Sequence, residues 1–579
     1  MIIHLAASGS QELPGTNASD DHLSRWEWIL FVVLAVVSLL LRLIYIHQFR
    51  VDSDEPQHLH VVWGWAQGLT DYRDFFDNHT PLFHIIYAPV LKAIGERPDI
   101  LILMRLSLFP LYLFGAWCIY RLGRVLFNRR IGAWAALFSS IYPYYFFPSI
   151  EFRADNLWGP LWFFTLVLMT TGPLSPVRSF YVGLLFGALW ASSTKSVLLL
   201  GAFVLAVMFT YVLSKRFRIQ CSAPRLAANL LTALAGAIIV PGLLIAFFLH
   251  RHALDQFIYC AIQHNLIPGT LEHQLTSSGF LAALVGLVFV VALARWILAK
   301  ARTEVVGAKR ILILLTAAVY LAFVRTLKVT RQDFIPYDPL MILLVTPLLL
   351  SALQICLGRL GFRPPLFVRS VAPAFLGIVG IVWVLAGRSI FHNGTAGHIR
   401  YVAEVLRLTT PDDYVMDYKG ESIFRRRPFY FVLEPVTRDR IRAGLITDNI
   451  PECLIATGTH VVLRDTNRLK QRTPEFLRAN YVPVGQVCVA GKLLAPSATG
   501  SYEFDLAIAG TYAVTTKDSV PNGTLDGTAY TSPRMLSPGR HTLQLAAQPQ
   551  AVVVIWSRAL EKGFSPFNPP PFVRVESEF

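Results

Sequence analysis

The segment around which the chain is organised reads VDSDEPQHLHVVWGWAQGLTDYRDFFDNHTPLFH and extends from Val51 to His84. It lies between two apolar runs and combines acids, histidines and aromatic residues. The acids and histidines are Asp52, Asp54, Glu55, Asp71, Asp74, Asp77, His58, His60, His79 and His84. A loop that only joins two membrane helices can be much shorter. The segment therefore predicts a folded surface at the membrane edge, and we interpret it as half of an active site.

The composition indicates an integral membrane protein. Of the 579 residues, 54% are hydrophobic and only 15% are charged, whereas soluble domains carry about a quarter charged residues. The net charge of +15 would suggest nucleic-acid binding in a soluble protein. Here the basic residues fall mainly in short loops between apolar runs, where they determine membrane topology. We therefore expect no nucleic-acid partner.

The apolar runs predict about eleven transmembrane helices. The first, Trp28–Ile46, is interpreted as an uncleaved helix, because no basic segment precedes it and no small-residue cleavage site follows it. The shorter apolar piece Leu82–Ile94 is expected to be re-entrant or interfacial. The remaining predicted spans lie near residues 100–120, 131–148, 155–172, 179–194, 196–213, 227–249, 279–298, 311–327, 337–355 and 371–387.

The basic loops predict the topology and the domain organisation. The Lys and Arg clusters between the spans all fall on one side if the N-terminus is cytoplasmic. Residues 1–26 are then a cytoplasmic tail, and residues 27–387 form the transmembrane domain with an outer loop at 48–99. Residues 388–496 are expected to form an exported α/β domain, with one of its strands at Phe429–Leu433. Residues 497–579 are expected to form an exported β-rich domain of sandwich or jelly-roll type, with one of its strands at Gly510–Thr515.

Two cysteines of the exported region, Cys453 and Cys488, could pair in an oxidising compartment or remain separate thiols. The sequence leaves both possibilities open, because it does not show whether their Cβ atoms meet.

Polar residues that this topology places on the outer side form several clusters. Each cluster also has a purely structural interpretation: helix capping for Asp54 and Glu55, an ion pair for Arg153, snorkelling for Lys195, and a solvated loop for His79, His264 and Arg331. Two carboxylates from different loops suit deprotonation and positioning of an acceptor hydroxyl. Basic groups suit stabilisation of a phosphate leaving group. The clusters contain Asp54-Glu55-Pro56, Asn78-His79-Thr80-Pro81, Glu151 to Asn156, Lys195, Gln263-His264-Asn265 and Arg331-Gln332-Asp333.

Several of these motifs resemble the GT-C glycosyltransferases, in particular the group of protein mannosyltransferases, lipid A aminoarabinose transferases and rhizobial galacturonosyltransferases. The resemblance covers roughly residues 28–350. The matching motifs are Asp54-Glu55 after the first helix, Tyr72-Arg73-Asp74, Asn78-His79-Thr80-Pro81-Leu82, Glu151-x-Arg153-x-Asp155, Lys195 and Arg331-Gln332-Asp333-Phe334-x-Pro336. The implied fold is a mainly α-helical polytopic membrane protein of GT-C type with an exported α/β domain. The β-sandwich region after residue 496 does not match that family closely and is expected from the strand pattern alone.

The resemblance also implies roles for individual residues. Asp54 matches the catalytic acid of the first loop and is the expected base, Glu55 matches its neighbour, and Asp155 matches the second essential acid. The donor phosphate and sugar are expected to bind Arg153, Lys195, His79, Arg331 and Gln332. The aminoarabinose branch has an acid and a lysine where this chain has Asn78 and His79, so the metal site of that branch is not simply carried over. No cofactor is expected with certainty. A divalent metal held by His79 and His264 is the alternative.

The expected activity is that of an inverting, polyprenyl-phosphate-sugar-dependent glycosyltransferase of EC class 2.4, located in the bacterial inner membrane with a periplasmic C-terminal domain. Its acceptor could be lipid A, another glycolipid, a polysaccharide or a protein. Two alternatives remain: a transporter or flippase of lipid-linked sugars, and a non-catalytic cell-envelope assembly protein. A transporter would be expected to carry ionisable residues within its spans and paired repeats, and neither is evident in the sequence.

Overall fold

The computed structural model describes residues 21–213, 223–266, 304–324, 330–359, 365–465, 472–497, 499–517, 521–546 and 551–575. The predicted span at 279–298 and most of the predicted cytoplasmic tail lie outside the described residues.

The described residues of the first two thirds of the chain are mainly helical. Helices α1 to α12 are Arg25–Gln48, Asp54–Ala66, Leu82–Ile94, Ile100–Ser107, Phe109–Leu126, Arg129–Ile141, Pro143–Phe146, Asp155–Thr170, Pro176–Ser192, Ser196–Leu213, Ala223–His250 and Leu254–Ile258. After the gap, α13 to α15 are Glu304–Val324, Asp338–Arg359 and Pro365–Gly387. Three short turns of 3₁₀ or π type add Pro148–Ile150, Tyr259–Gln263 and Arg331–Phe334.

Six helical stretches in the described part of the chain are long and apolar enough to cross a membrane: Arg25–Gln48, Ile100–Leu126, Ala227–His250, Val306–Val324, Asp338–Arg359 and Arg369–Gly387. The predicted membrane architecture is confirmed, but the predicted number of eleven spans is not. One reason is visible at the predicted span 131–148, where α6 ends at Ile141. Tyr142 is extended there, as a residue that precedes a proline usually is.

Small residues bring α9 and α11 into close contact. A Cβ atom on Gly183 would collide with the carbonyl group of Ala233, and one on Gly236 would collide with that of Phe180. Close backbone approach of this kind is typical of helix pairs in membranes, where van der Waals packing drives association. This pairing fixes the end of α9, from which the loop with Lys195 leads into α10.

The two ends of α1 lie in different polar surroundings. At its start, buried Glu27 accepts a hydrogen bond from Arg130 Nε at 2.7 Å, and Arg130 also donates to the Arg369 carbonyl at 2.9 Å. Just beyond its other end, Arg50 pairs with Asp52 at 3.1 Å. A helix of 24 residues is about 36 Å long. The predicted basic loops around Arg130 and Arg369 therefore lie far from the acidic segment, at the opposite end of the bundle.

The C-terminal region begins with the amphipathic helix α16, Ala396–Leu408, and contains two sheets. Its other helices, α17 to α20, are Pro435–Arg442, Ile450–Ala456, Thr473–Asn480 and Ser557–Glu561. Strands β1 to β11 are Val415–Met416, Val461–Leu463, Tyr481–Pro483, Val487–Leu494, Ser501–Leu506, Gly510–Thr515, Gly523–Leu525, Thr528–Ala529, Arg534–Leu536, Gly539–Leu545 and Val552–Trp556.

The larger sheet has seven strands in the order β1-β2-β4-β11-β6-β9, with β3 also paired to β4. Only β1 and β2 pair in parallel; the other described pairs are antiparallel. Strand β11 pairs with β4 on one side and β6 on the other, so this sheet continues across the predicted domain boundary at residue 496. The second sheet has the order β5-β10-β7-β8. Its β7–β8 turn uses Asp526 and Gly527 with positive φ, as hairpin turns of type I′ require.

One hydrophobic core joins the C-terminal region to the acidic segment. It contains Leu59 of α2, Phe83 of α3 and Phe152, together with Tyr401 of α16 and Val489 of β4. The C-terminal region is therefore packed directly onto the loops that carry the predicted site residues.

A truncation after residue 496 is expected to destabilise the whole C-terminal region rather than remove a separate module. The central strand β4 would lose β11, whose five residues are all buried. Limited proteolysis should cleave the truncated protein between 388 and 496 much faster than the full chain. A chain that lacks only residues 576–579 keeps every described strand and is the control. Equal protease resistance of the two truncated chains would contradict the shared sheet.

Candidate active site

The acidic segment enters α2 with Asp54 and Glu55 in the first turn and Pro56 next to them. Proline is well tolerated at this position, because its missing N–H would have no partner within the helix. Negative charge is favoured at a helix N-terminus. The side chains of the two neighbouring acids point in different directions and have different partners.

Glu55 is fully buried and faces the protein interior. It forms a two-point ion pair with Arg105, at 2.7 Å from Nε and 2.5 Å from Nη2. It also accepts hydrogen bonds from the backbone N–H of Phe152 at 2.7 Å and of Asp52 at 3.0 Å. Glu55 thereby connects three segments that surround the site.

Arg153 occupies the centre of the site. Its Nη1 lies 2.7 Å from Asp52 and 2.6 Å from Asp54, and its Nε lies 3.3 Å from Asp155. Asp155 begins α8 and also accepts a hydrogen bond from Trp158 Nε1 at 3.2 Å. Arg153 therefore joins two acids at the start of α2 and just before it to the acid at the start of α8.

Glu151 extends the network towards the last helices. It pairs with Arg50 at 3.2 Å and accepts a hydrogen bond from Gln332 Nε2 at 2.5 Å. Burial raises the pKa of Glu151, and the nearby carboxylates of Asp52 and Glu55 raise it further, to about 8 despite Arg50. Gln332 is itself buried, so its described contact positions Glu151.

Lys195 lies between α9 and α10 and forms an ion pair with Asp333. Asp333 is held in place by a capping box with Thr330. Lys195 also interacts electrostatically with Asp155 and Arg153, which places it beside the Arg153 network. The neighbouring Arg331 is exposed, with its guanidinium 5.9 Å from the Tyr144 ring centre.

A second lysine, Lys419, comes from the C-terminal region, and the sequence analysis did not identify it. Its Nζ contacts Asp54 and lies 3.1 Å from Ser53 Oγ. Its loop packs tightly on α2: Gly420 has φ +101, and a Cβ there would collide with His60. Only glycine fits such a position without strain. No local sequence signal marks Lys419, because its partner is 365 residues away.

Accessibility separates the acids of the site. The side chain of Asp54 is 24% exposed, compared with 9% for Asp155, 7% for Asp52 and 1% for Glu151. Among the cations, Lys195 is 39% exposed, whereas Arg153 is 5% exposed. A bound molecule can therefore reach Asp54 and Lys195 most easily. Burial tends to raise the pKa of Asp54, but Arg153 and Lys419 outweigh it and hold this pKa well below the usual range.

The predicted histidines lie at separate carboxylates. His79 Nδ1 is 2.8 Å from Asp77 Oδ1, and His79 interacts electrostatically with Asp54. His264 Nε2 is 3.2 Å from Glu434, and its ring is stacked against Phe431. No contact among the described residues joins His79 to His264, so the geometry gives no support to a metal shared by these two.

The five cysteines in the described part of the chain, including Cys453 and Cys488, are free thiols in this structure. The disulfide that the sequence left open is therefore not formed.

Comparisons with known proteins were made for the sequence and for the structure. No family model and no curated protein matches the sequence. Solved structures do match. The structure of ArnT from Cupriavidus metallidurans bound to undecaprenyl phosphate matches with a TM-score of 0.52 and 13% identity, covering 81% of this chain and 98% of that chain. This chain has the GT-C fold.

Two further GT-C structures are similar over most of the chain. The apo structure of the same ArnT has a TM-score of 0.49 and 14% identity, covering 80% of this chain and 97% of that chain. The oligosaccharyltransferase AglB from Archaeoglobus fulgidus, in complex with an inhibitory peptide and a dolichol-phosphate, has a TM-score of 0.47 and 11% identity, covering 79% and 73%. The match to ArnT bound to undecaprenyl phosphate confirms, at the level of the fold, the GT-C architecture that the sequence motifs predicted.

Proposed function

We propose that this protein is an inverting glycosyltransferase that moves a sugar from a polyprenyl-phosphate donor to an acceptor hydroxyl on the outer face of the cytoplasmic membrane. The observation that carries the proposal is the pairing of one accessible carboxylate, Asp54, with two cations, Arg153 and Lys419, while a third cation, Lys195, lies beside Arg153 and Asp155. This is the combination that base catalysis with a phosphate leaving group requires.

In the proposed reaction, Asp54 accepts the proton of the acceptor hydroxyl. The acceptor oxygen forms its bond to the anomeric carbon of the sugar while the bond from that carbon to the phosphate oxygen breaks. The electron pair leaves with the polyprenyl phosphate, and Lys195 and Arg153 stabilise the negative charge that develops on it. Attack from the face opposite the leaving group inverts the anomeric centre.

The donor phosphate is assigned to the region of Lys195. This lysine is the most exposed of the three cations, and it lies between two apolar helices, where a polyprenyl chain could run. ArnT, which shares the fold, binds undecaprenyl phosphate in its solved structure. We propose that His79 and Arg331 line the same region, and that Asp155 orients the sugar or the acceptor through Arg153.

The remaining predicted residues are proposed to position the others. Glu55 is buried and fully engaged by Arg105 and two backbone N–H groups, so it has no free edge for a substrate. Gln332 holds Glu151, which holds Arg50. We therefore propose that Glu55 and Gln332 maintain the geometry of the site and do not touch the reacting atoms.

A transfer assay with purified protein in liposomes tests this function. A panel of polyprenyl-phosphate sugars is supplied with lipid A, glycolipid, polysaccharide or protein acceptors, and free polyprenyl phosphate is measured by mass spectrometry. The proposal requires release of polyprenyl phosphate and a matching mass increase of one acceptor. Donor that crosses the bilayer intact, with no release under any combination, would instead indicate a flippase and would contradict the proposal.

Replacing Lys419 by glutamine is expected to move the acid limb of the pH–rate profile to higher pH. Activity needs ionised Asp54, so it is lost as the pH falls through the pKa of this acid. Lys419 lowers that pKa, and its removal raises it. The profile of kcat/KM against pH measures the shift. Lys562→Gln, at an exposed lysine elsewhere in the C-terminal region, should leave the limb unchanged. If the acid limb of the Lys419→Gln profile lay at the same pH as that of the wild type, the role assigned to the contact between Lys419 and Asp54 would be contradicted.

A further inference from the structure

A second cluster of ionisable side chains lies in the outer loop, apart from the Arg153 network. Asp71, Asp77 and His84 are each 0% exposed. One ligand atom from each residue can be chosen so that the three atoms lie within 4.8 Å of one another. Asp71 and Asp77 belong to the loop between α2 and α3, and His84 lies in the first turn of α3. The loop and the helix thus bring two carboxylates and one imidazole to a common point.

The protein contacts satisfy only part of this cluster. Asp71 accepts hydrogen bonds from Trp65 Nε1 at 3.1 Å and from the Tyr72 N–H at 2.9 Å. Asp77 uses Oδ1 to accept from the backbone and the ring of His79. By contrast, Asp77 Oδ2 and His84 Nδ1 are both buried and have no hydrogen-bond partner. They lie 3.3 Å apart. These two atoms of metal-binding type therefore contact each other without forming a hydrogen bond of normal geometry, and neither has another hydrogen-bond partner.

The charges of the cluster are also uncompensated. In the described ranges, neither Asp71 nor Asp77 forms an ion pair with a lysine or an arginine; the described partners of Asp77 are His79 and His84. A buried carboxylate is costly unless it is paired or coordinates a metal. A bound cation would supply both the missing contacts and the missing positive charge.

We propose that Asp71, Asp77 and His84 bind one divalent transition-metal ion, with Zn²⁺ as the ion that their chemistry favours. Carboxylate oxygen and imidazole nitrogen are common zinc ligands, and a water molecule would complete four-coordination. Manganese, which prefers oxygen ligands, fits this donor set less well than zinc because of the imidazole. The proposal concerns a site that differs from the predicted pair of His79 and His264.

The surroundings of His84 match this assignment. Its other ring nitrogen, Nε2, is 2.8 Å from His58 Nδ1. With Nδ1 bound to the metal, Nε2 carries the proton and donates a hydrogen bond to His58 Nδ1. Metal-binding histidines usually donate their second N–H to such a partner, which fixes the orientation of the ring.

The expected role of the ion is to hold the loop and so to position His79. Asp77 would bind the metal with Oδ2 while Oδ1 stays on His79. The ion would then tie residues 71–79 to the start of α3. This role does not depend on the proposed transfer reaction, and its test needs no activity assay.

The metal content of the purified full-length protein tests the proposal. The protein is purified in detergent without chelators, incubated with zinc chloride, desalted and analysed by inductively coupled plasma mass spectrometry. We expect about one zinc per chain, and less than about a tenth of that for Asp71→Asn and His84→Gln, because the loss of one ligand from a three-residue set weakens binding strongly. Asp74→Asn changes a partly exposed acid of the same loop, which pairs with Arg73, and it should retain the metal.

A second measurement keeps the test decisive if a variant fails to fold. The wild-type protein is depleted with a chelator, and its thermal unfolding midpoint is measured with and without added zinc. A ligand that binds only the folded state raises this midpoint. The proposal would be overturned if the wild-type protein retained less than about a tenth of a zinc ion per chain after incubation and its thermal unfolding midpoint did not respond to zinc. It would also be overturned if the Asp71→Asn and His84→Gln proteins had the zinc content of the wild type.

Discussion

Asp54→Asn is expected to reduce sugar transfer by at least about a hundredfold, because positioned general bases contribute about 10²- to 10⁴-fold. The substitution keeps the shape of the side chain and one acceptor oxygen, and it removes the charge and with it the capacity to accept the proton. Arg153 still has Asp52 and Asp155 as partners, so the protein should fold and bind its donor. Initial rates at saturating donor and acceptor measure the effect.

The control for Asp54→Asn is Asp74→Asn, which removes a carboxylate of the same loop that pairs with the exposed Arg73. Its transfer rate should remain close to that of the wild type. An Asp54→Asn enzyme that works at the normal rate would exclude Asp54 as the base. The most exposed acid of the site would then be only a partner for Arg153 and Lys419.

Glu55→Gln is expected to act on stability instead of on the chemical step. Breaking a buried ion pair by removing one partner costs about 3–5 kcal/mol, and the side chains of Glu55 and Arg105 are both 0% exposed. The thermal unfolding midpoint in detergent should fall clearly. The rate per folded molecule, measured below that midpoint, should stay within about tenfold of the wild type, well short of the loss expected when a base is removed.

Glu96→Gln provides the matched control for Glu55→Gln. Glu96 also pairs with an arginine, Arg425, at 2.9 Å, but the Glu96 side chain is 35% exposed, and the buried Arg425 keeps its hydrogen bonds to Thr409 and Phe424 when Glu96 is changed. Its unfolding midpoint should therefore hardly move. A Glu55→Gln protein that is as stable as the wild type but inactive would show that Glu55 acts directly in the reaction, as the sequence resemblance implied.

The sequence predicted the fold wherever hydrophobic patterning is strong. The apolar piece Leu82–Ile94 forms a helix with those bounds, and the predicted strand Gly510–Thr515 is β6. Patterning failed where tertiary contacts decide. Phe429–Leu433, predicted as a strand, is not one in this structure, and the shared sheet depends on β11 pairing with β4. A local sequence window shows neither that Phe429–Leu433 does not form a strand nor that β11 pairs with β4.

The site could be predicted only in part for the same reason. Motifs on the outer loops identified Asp54, Arg153, Asp155 and Lys195, and the structure brings these side chains into one network. Sequence position does not determine the direction in which a side chain points. Glu55 therefore looked equivalent to Asp54, although it faces the interior, and Lys419 carried no signal at all.

The proposed function requires that Asp54, Arg153 and Lys195 form the head-group site for a polyprenyl phosphate. Native mass spectrometry of the purified protein, titrated with a polyprenyl monophosphate and with the corresponding alcohol, tests this most directly. Lys195→Met is compared with Lys92→Met, which changes an exposed lysine of α3. We predict that the wild-type protein binds one polyprenyl phosphate and binds the alcohol only weakly. Lys195→Met should bind the phosphate at least about tenfold more weakly, and Lys92→Met should bind it as the wild type does. If the wild type bound the phosphate and the alcohol equally well, or if the wild type and both variants bound the phosphate equally well, the proposed head-group site would be contradicted.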